Sequence, residues 1–272
     1  MTLTTTAQLL AAYDDQLRGD AAEALSAASV TWLGPLRLAT YTGGRGFVTY
    51  PDLGGADEAG VAVLVADALA HYVADARITR VEWKTRGHDH APGLHDVLLA
   101  NGFVMDEPES IMIGEARHLA VDTPLPDGVT LRRVSREADV RAMCEAADVA
   151  FGTHMAADMT AAMLRRLTID PTTELWVAEH GGTVVSTGRL EPVAGTEFAG
   201  IWGGSTLPEW RGQGIYRALT AARARSALAA GKTLINSDST EYSRPILERS
   251  GFVKVSTTTP YEWRRGPRAS GE

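Results

Sequence analysis

Glu174–Glu179, Thr183–Val193 and Phe198–Leu207 are three runs of strand-forming residues, joined by Gly181-Gly182 and by Ala194-Gly195-Thr196. Strands joined by turns this tight pair antiparallel, so the three form a meander. The next residues are Pro208-Glu-Trp-Arg-Gly-Gln-Gly-Ile-Tyr216. After them an Ala-rich helix runs from about Ile215 to Ala229 and stops at Gly231. A meander that feeds a helix through a glycine loop commits the chain to a mixed α/β fold, an α+β mixed sheet rather than a pure bundle or sandwich.

The rest of the second half fits this order. Val129–Val134 reads as a strand, and Arg136–Phe151 and Ala156–Leu167 as helices. Past the Ala-rich helix, Thr233–Ser237 is a short strand and Arg244–Ser250 a helix closed by Gly251, a left-handed C-terminal cap. Phe252 to Arg264 reads as a final extended pair. The first half opens with two short amphipathic helices ending near Ser29, around Arg18-Gly19-Asp20. A hairpin follows, Arg37–Thr42 and Gly46–Tyr50 about Gly43-Gly44, and then a buried helix, Val61 to Ala76. Ile78–Thr85 is a strand, Leu94–Ala100 a short helix, and Phe103 to Glu115 is extended. Asp122-Thr-Pro-Leu-Pro-Asp-Gly128 carries two prolines and an Asp-Gly turn and reads as a linker. The expected domains are therefore 1–120 and 129–272, with a linker at 121–128. Leu98-Leu-Ala-Asn-Gly-Phe-Val104 and Leu247-Glu-Arg-Ser-Gly-Phe-Val253 echo each other, which suggests an internal duplication.

Composition narrows the function. The formal net charge of −8 over 272 residues disfavours polyanionic partners, so nucleic acid is not expected. The single cysteine, Cys144, allows no internal disulfide and sits in a helical pattern as a small core residue. The opening Met-Thr-Leu-Thr-Thr-Thr has no basic segment ahead of an apolar run, and no apolar run reaches membrane-spanning length. A cytoplasmic protein with no membrane association is expected.

The glycine loop carries the chemistry. Gly212 and Gly214 leave the backbone bare between a strand and a helix, where N–H groups and the helix dipole converge on one spot. Such a spot suits a phosphate, and Arg211 and Arg217 flank it. No Lys follows Gly214, which excludes a Walker loop. The third glycine of a dinucleotide fingerprint is missing, and the preceding strands form a meander.

Strand, Arg211-Gly-Gln-Gly-Ile-Tyr216, helix, strand, short helix and Gly-Phe corner together resemble the GNAT superfamily of N-acetyltransferases. Its motif is Arg/Gln-x-x-Gly-x-Gly/Ala, on which Arg211, Gly214 and Tyr216 fall. The resemblance covers about Val129 to Arg264 and extends faintly over Leu33–Glu115. There Tyr50-Pro-Asp-Leu-Gly-Gly-Ala stands in place of the loop. It implies two GNAT-like acyl-CoA N-acyltransferase domains, the first a degenerate copy that does not bind the cofactor. It implies that Arg211, Gly212, Gln213, Gly214, Ile215, Tyr216 and Arg217 hold the pyrophosphate of acetyl-CoA, and that Thr206 and Leu207 line its pantetheine arm through the main chain. Ser243 joins the cofactor set. The implied reaction is direct transfer of acetyl to a primary amine, that of a small molecule first and of a peptide second. A non-catalytic acyl-CoA sensor is the alternative.

The chain departs from the motif at Tyr216, where a small residue is usual, at Thr240, and at Leu247, where many members carry a Tyr that protonates the leaving thiolate. A neighbouring hydroxyl (Tyr242, Ser243 or Tyr261) or a water serves instead, or no acid is needed, since thiolate is already a fair leaving group. An alkylamine also needs a base. Glu191, Asp238 and Glu197 are the candidates, each equally readable as a solvated turn residue. His154 reads as an exposed loop residue. His88-Asp-His90 with His95 has metal-like spacing but sits in a Gly/Pro-flanked loop with no carboxylate cluster or cysteine nearby, so no metal is expected. Arg217, Arg223 and Arg225 read as the solvated face of their helix. Trp202-Gly-Gly204 marks a bulge in its strand.

Overall fold

The computed structural model describes residues 5–266, so the opening Met1–Thr4 of the N-terminal reading lies outside the described residues. The chain divides into two compact units, Met1–Ile111 with Val255–Glu272, and Met112–Lys254.

In the first unit, helices α1 (Thr6–Leu17) and α2 (Asp20–Glu23) lead into strands β1 (Ser29–Leu33), β2 (Leu36–Tyr41) and β3 (Arg45–Thr49). Helix α3 (Glu58–Ala74) crosses to β4 (Arg80–Arg86). Helix α4 (Leu94–Ala100), β5 (Val104–Met105) and β6 (Glu109–Glu115) follow, and the unit boundary falls inside β6. Strands β1, β2 and β3 pair antiparallel, while β3 and β4 run parallel, as a helical crossover requires. The apolar face of α3 packs on Leu38, Val48 and Trp83 in one buried cluster. Tyr72 of α3 hangs its hydroxyl on the carbonyls of Ala39 and Phe47, so this large side chain is buried with its polar end satisfied.

In the second unit, α5 (Ala116–Leu119) precedes β7 (Val129–Val134), α6 (Glu137–Phe151) and α7 (Ala156–Ile169). The meander is β8 (Glu174–His180), β9 (Thr183–Pro192) and β10 (Phe198–Thr206). Helix α8 (Ile215–Ala229) crosses to β11 (Leu234–Ser239), and α9 (Arg244–Arg249) follows. The sheet order is β11-β10-β9-β8-β7, with only the β10–β11 pair parallel. One face is covered by α6 and α7: Val140, Met143 and Cys144 of α6 and Met163 of α7 share a buried cluster with Leu175 and Val177. The other is covered by α8 and α9, whose Ala224, Ala227 and Leu247 pack on Leu190, Ile201 and Ile235. Cys144 is buried, as its apolar neighbours suggest.

Three sequence expectations change here. Residues 121–128 are not a free linker: Leu125 packs with Ile215, and Thr123 and Pro124 reach Gly214, so the segment belongs to the second unit. The final strand, β12 (Val253–Arg264), is a single strand rather than a pair, and from Val255 onward it belongs to the first unit. It pairs antiparallel with β4 from Thr258↔Arg86 to Arg264↔Arg80, and with β5 at Tyr261↔Met105. Arg265 fastens this end by donating to the carbonyls of Ile78, Tyr72, Val73 and Asp75, at and just beyond the C-terminal end of α3. Finally, β1 lies where the initial helices were expected to end.

Candidate active site

Two features of the second unit meet at the C-terminal end of β10. The first is a fork. Strands β10 and β11 pair at Phe198↔Leu234, Ala199↔Ile235 and Gly200↔Asn236, and β10 then continues to Thr206 and β11 to Ser239. Past the last pair, the β9–β10 register slips between Trp202 and Ser205, with Gly203 at φ +59°. That is the bulge expected at Trp202-Gly-Gly204. Hydroxyls of β9 satisfy the disrupted ladder: Ser186 donates to the Ser205 carbonyl at 2.5 Å, and Thr187 to the Gly203 carbonyl at 3.1 Å. At the root of the fork the Asn236 side chain is buried, and its Oδ1 has no hydrogen-bond partner among the described residues.

The second feature is the loop. Pro208–Trp210 forms a 3-10 turn, and Gly212 and Gly214 stand at φ +76° and +80°. A Cβ at Gly212 would meet nothing within 4 Å, so backbone conformation rather than crowding demands glycine there. Helix α8 starts at Gly214 with no side-chain cap and no acid in its first turn. Its first N–H groups and the positive end of its dipole are left for another acceptor. The first unit builds its equivalent helix start in the opposite way. There Asp57 caps α3 by accepting from the Gly60 N–H at 2.8 Å, and Glu58 follows in the first turn. That carboxylate satisfies a donor and repels an anion.

Arg211 does not extend toward the space before α8. Its Nε donates to the Thr206 carbonyl and its Nη2 to the Ala150 carbonyl, both at 3.0 Å, so it staples the loop to β10 and α6. Gln213 donates to the Glu209 carbonyl, and the Leu207 N–H to Val185. Arg217 is exposed, with no bond among the described residues. Ile215 is core.

Tyr216 turns its ring back onto β10. A Cβ at Gly204 would lie 2.5 Å from Tyr216 Cε2, so only glycine fits beneath the ring. Behind it is Arg223, which the helical pattern assigned to solvent but which is 0% exposed. Its donors reach the carbonyls of Leu219 and Arg189 and the Thr220 hydroxyl, at 3.3, 3.1 and 3.2 Å. Its Cζ sits 5.9 Å from the Tyr216 ring centre. A Cβ at Gly188 would lie 2.7 Å from its Nη1. No carboxylate pairs with it among the described residues. Burial pushes its pKa below the arginine range, with the Tyr216 phenol opposing. Sequence reasoning missed this residue, Gly188 and Asn236; the glycine inside a strand was the one available signal.

The candidate bases separate. Glu191 lies opposite Gly200, in the row that reaches Asn236, but Arg166 and Arg189 clamp it at 3.1 and 3.3 Å. Asp238 is half-buried in β11, two residues past the last β10 pair. Glu197 precedes β10 at the end away from the loop, where its carbonyl accepts from Thr233 and Leu234. About nine residues of strand, roughly 30 Å, separate it from Thr206, and three separate it from Gly200 at the root of the fork. Among the acids, Tyr242 is 89% exposed. Ser243 joins Ser239 and Thr240 in a hydroxyl cluster at 2.7 and 3.1 Å. Tyr261 belongs to the first unit, where its hydroxyl meets His95. Leu247 is buried core, so no acid stands at that position. His154 is exposed between α6 and α7. His88 is engaged by Asp14 and Ser256, and among the described residues no group of His, Cys, Asp and Glu is arranged to hold a metal. Nor is any described helix long and apolar enough to cross a membrane.

Residues 139–264 match the acetyltransferase (GNAT) domain family. Among solved structures, a GCN5-related N-acetyltransferase from Kribbella flavida aligns over 99% of both chains at 18% identity, with a TM-score of 0.69. A tandem GNAT protein from the clavulanic acid biosynthesis pathway aligns over 85% of this chain and 79% of its own, at 15% identity and a TM-score of 0.62. One from Sphaerobacter thermophilus aligns over 86% of this chain and 78% of its own, at 18% identity and 0.59. No curated protein matches this sequence. The mixed α/β fold is thus the one found in GNAT acetyltransferases.

Proposed function

We propose that this chain transfers the acetyl group of acetyl-CoA to a primary amine of a small molecule. The observation that carries the reading is the acid-free, glycine-capped start of α8 at the end of a strand that has parted from its neighbour. The residues fit the cofactor. Gly212 and Gly214 bring no side chain toward a phosphate, and the N–H groups of Ile215, Tyr216 and Arg217 are free to donate. Arg217 can add its charge, while Arg211 keeps the loop in shape. The unpartnered Asn236 Oδ1 at the fork is what a hydrogen-bond donor from a bound molecule would satisfy. When bound, acetyl-CoA supplies an acyl group activated as a thioester. Asp238, half-buried in β11 two residues past the last β10 pair, is the base candidate by its place in the fork.

The first unit repeats the second in outline: a hairpin, a crossing helix and a strand parallel to the one before it. We read it as a second, degenerate copy. Asp57 closes its helix start to phosphate, and three buried arginines fill the end of its parallel pair. Arg18 reaches the Tyr50 carbonyl at 2.8 Å and binds Asp89 at 2.7 and 2.8 Å. Arg37 bonds Asp20 and Glu23, and Arg86 also bonds Glu23.

Calorimetric titration with acetyl-CoA, coenzyme A, ATP and a Gly214→Asp variant tests the site. Binding of both coenzyme A forms but not ATP, lost in the variant, supports it. No binding by the unaltered protein refutes it. Leu247 and the clamped Glu191 favour a sensor that binds without turnover as the second reading. Release of free thiol with a panel of amines separates the two.

A further inference from the structure

The sharpest anomaly of the second unit is Arg223, a fully buried cation with neutral partners only. Taking a charge out of water without a counter-ion costs several kcal/mol. The surrounding strands are cut away to seat it. Gly188 in β9 clears room for the guanidinium and Gly204 in β10 for the Tyr216 ring, and both lie at the register slip that parts β10 from its ladder. Tyr216 packs in the same apolar cluster as Leu247, so α8 carries a phenol in the cluster where α9 carries only an alkyl chain. No carboxylate, histidine or lysine among the described residues bonds to either partner: β10 presents Gly204, β9 presents Gly188 and the Arg189 carbonyl, and α8 presents Leu219 and Thr220.

We propose that the Tyr216 hydroxyl, backed by the Arg223 cation, is the hydrogen-bond donor that stabilises negative charge on the coenzyme A sulfur. This rests on the acetyl-CoA reading above. Tyr216 is the catalytic residue of the pair and Arg223 the positioning residue, acting through the phenol. A buried cation with no anion of its own favours any anion that forms beside it, and a thiolate leaving group is such an anion. The hydroxyl replaces in function the group absent at Leu247, from a different helix.

The test uses coenzyme A itself and needs no acceptor amine. Its thiol is titrated while bound to the unaltered protein and to Tyr216→Phe, by the ultraviolet absorbance of the thiolate. The acetyl-CoA complex, whose sulfur cannot ionise, serves as the blank. The phenylalanine keeps the ring over Gly204. Bound to the unaltered protein, the thiol should ionise at lower pH than free coenzyme A. In Tyr216→Phe the midpoint should rise by about one unit, a tenfold loss of thiolate at a given pH, with the affinity for the protonated thiol held. Arg223→Gln should raise it likewise; if that variant does not fold, Tyr216→Phe decides alone. Equal midpoints in the unaltered protein and Tyr216→Phe overturn the proposal. A flat calorimetric trace with coenzyme A overturns the cofactor reading and this inference with it, a result distinguishable from equal midpoints.

Discussion

Gly188→Ala should destabilise the second unit, against the usual direction for such a change. Gly188 lies mid-strand in β9 and is not among the positive-φ glycines. At an ordinary site of this kind alanine stabilises by roughly 0.5–1 kcal/mol, because the unfolded chain loses freedom. Here the added Cβ would stand 2.7 Å from Arg223 Nη1 and 2.8 Å from its Cζ. The guanidinium cannot swing into solvent, since Arg223 is 0% exposed. Overpacking costs roughly 1–3 kcal/mol. Displacing Nη1 from the Arg189 carbonyl forfeits a charged hydrogen bond of about 1.5–3 kcal/mol. Less the gain, the net loss is roughly 1.5–5.5 kcal/mol. Native-state hydrogen exchange of the β9 amides reads this unit by itself, and urea unfolding followed by fluorescence gives the midpoint shift. Adding Arg223→Met to Gly188→Ala should recover most of the loss, because the shorter neutral chain vacates the clash. A neutral or stabilising Gly188→Ala would refute the reasoning, as would a double variant no better than the single one.

Other outcomes follow from the charge networks. Arg18→Ala leaves Asp89, 6% exposed at its side chain, without its bidentate partner, and should cost the first unit about 3–5 kcal/mol in urea unfolding. Glu191→Gln leaves Arg166 and Arg189 facing each other and should lower stability by about 1–3 kcal/mol, since the three side chains are 16–22% exposed and solvent screens part of the repulsion. The Asp75 carboxyl, hydrogen-bonded by Arg77, is lowered to about 2. Its folded pKa lies below its unfolded one, so its contribution is present above the ordinary carboxylate range and is lost as pH falls through about 2. NMR titration of Asp75 should show that midpoint, and Arg77→Ala should move it up.

Local signals carried much of the fold. The meander was legible because its turns are glycine-marked and each strand has one apolar face. Helix α8 was legible from its alanines between Gly214 and Gly231. Strand β1 was not, because four of its five residues are exposed and an exposed strand shows no alternation of burial. Arg223 was misassigned for a related reason. Helical periodicity reports which face a residue is on, but the hollow that takes this guanidinium is made by Gly188 and Gly204, on strands remote in sequence. The contrast between the two helix starts was within reach, since Asp57 followed by Glu58 directly ahead of the apolar helical run is an N-cap signal. The linker at 121–128 failed because prolines mark irregular backbone, and irregular backbone can still be packed, as Leu125 is on Ile215.

The placement of β12 sets an order of assembly on the ribosome. Domains that are continuous in sequence complete themselves from the N-terminus as they emerge. Here every residue from Met112 to Lys254 has been made before the strand that pairs with β4 exists. Until Thr258–Arg264 appears, β4 has an open edge, with its own Val81 and Trp83 directed into the core and its backbone donors waiting for a partner. The half of the protein translated first is therefore the last to be finished. A chain truncated at Lys254 would carry the whole sequence of one unit together with one unsealed sheet, the form in which a chaperone would meet it.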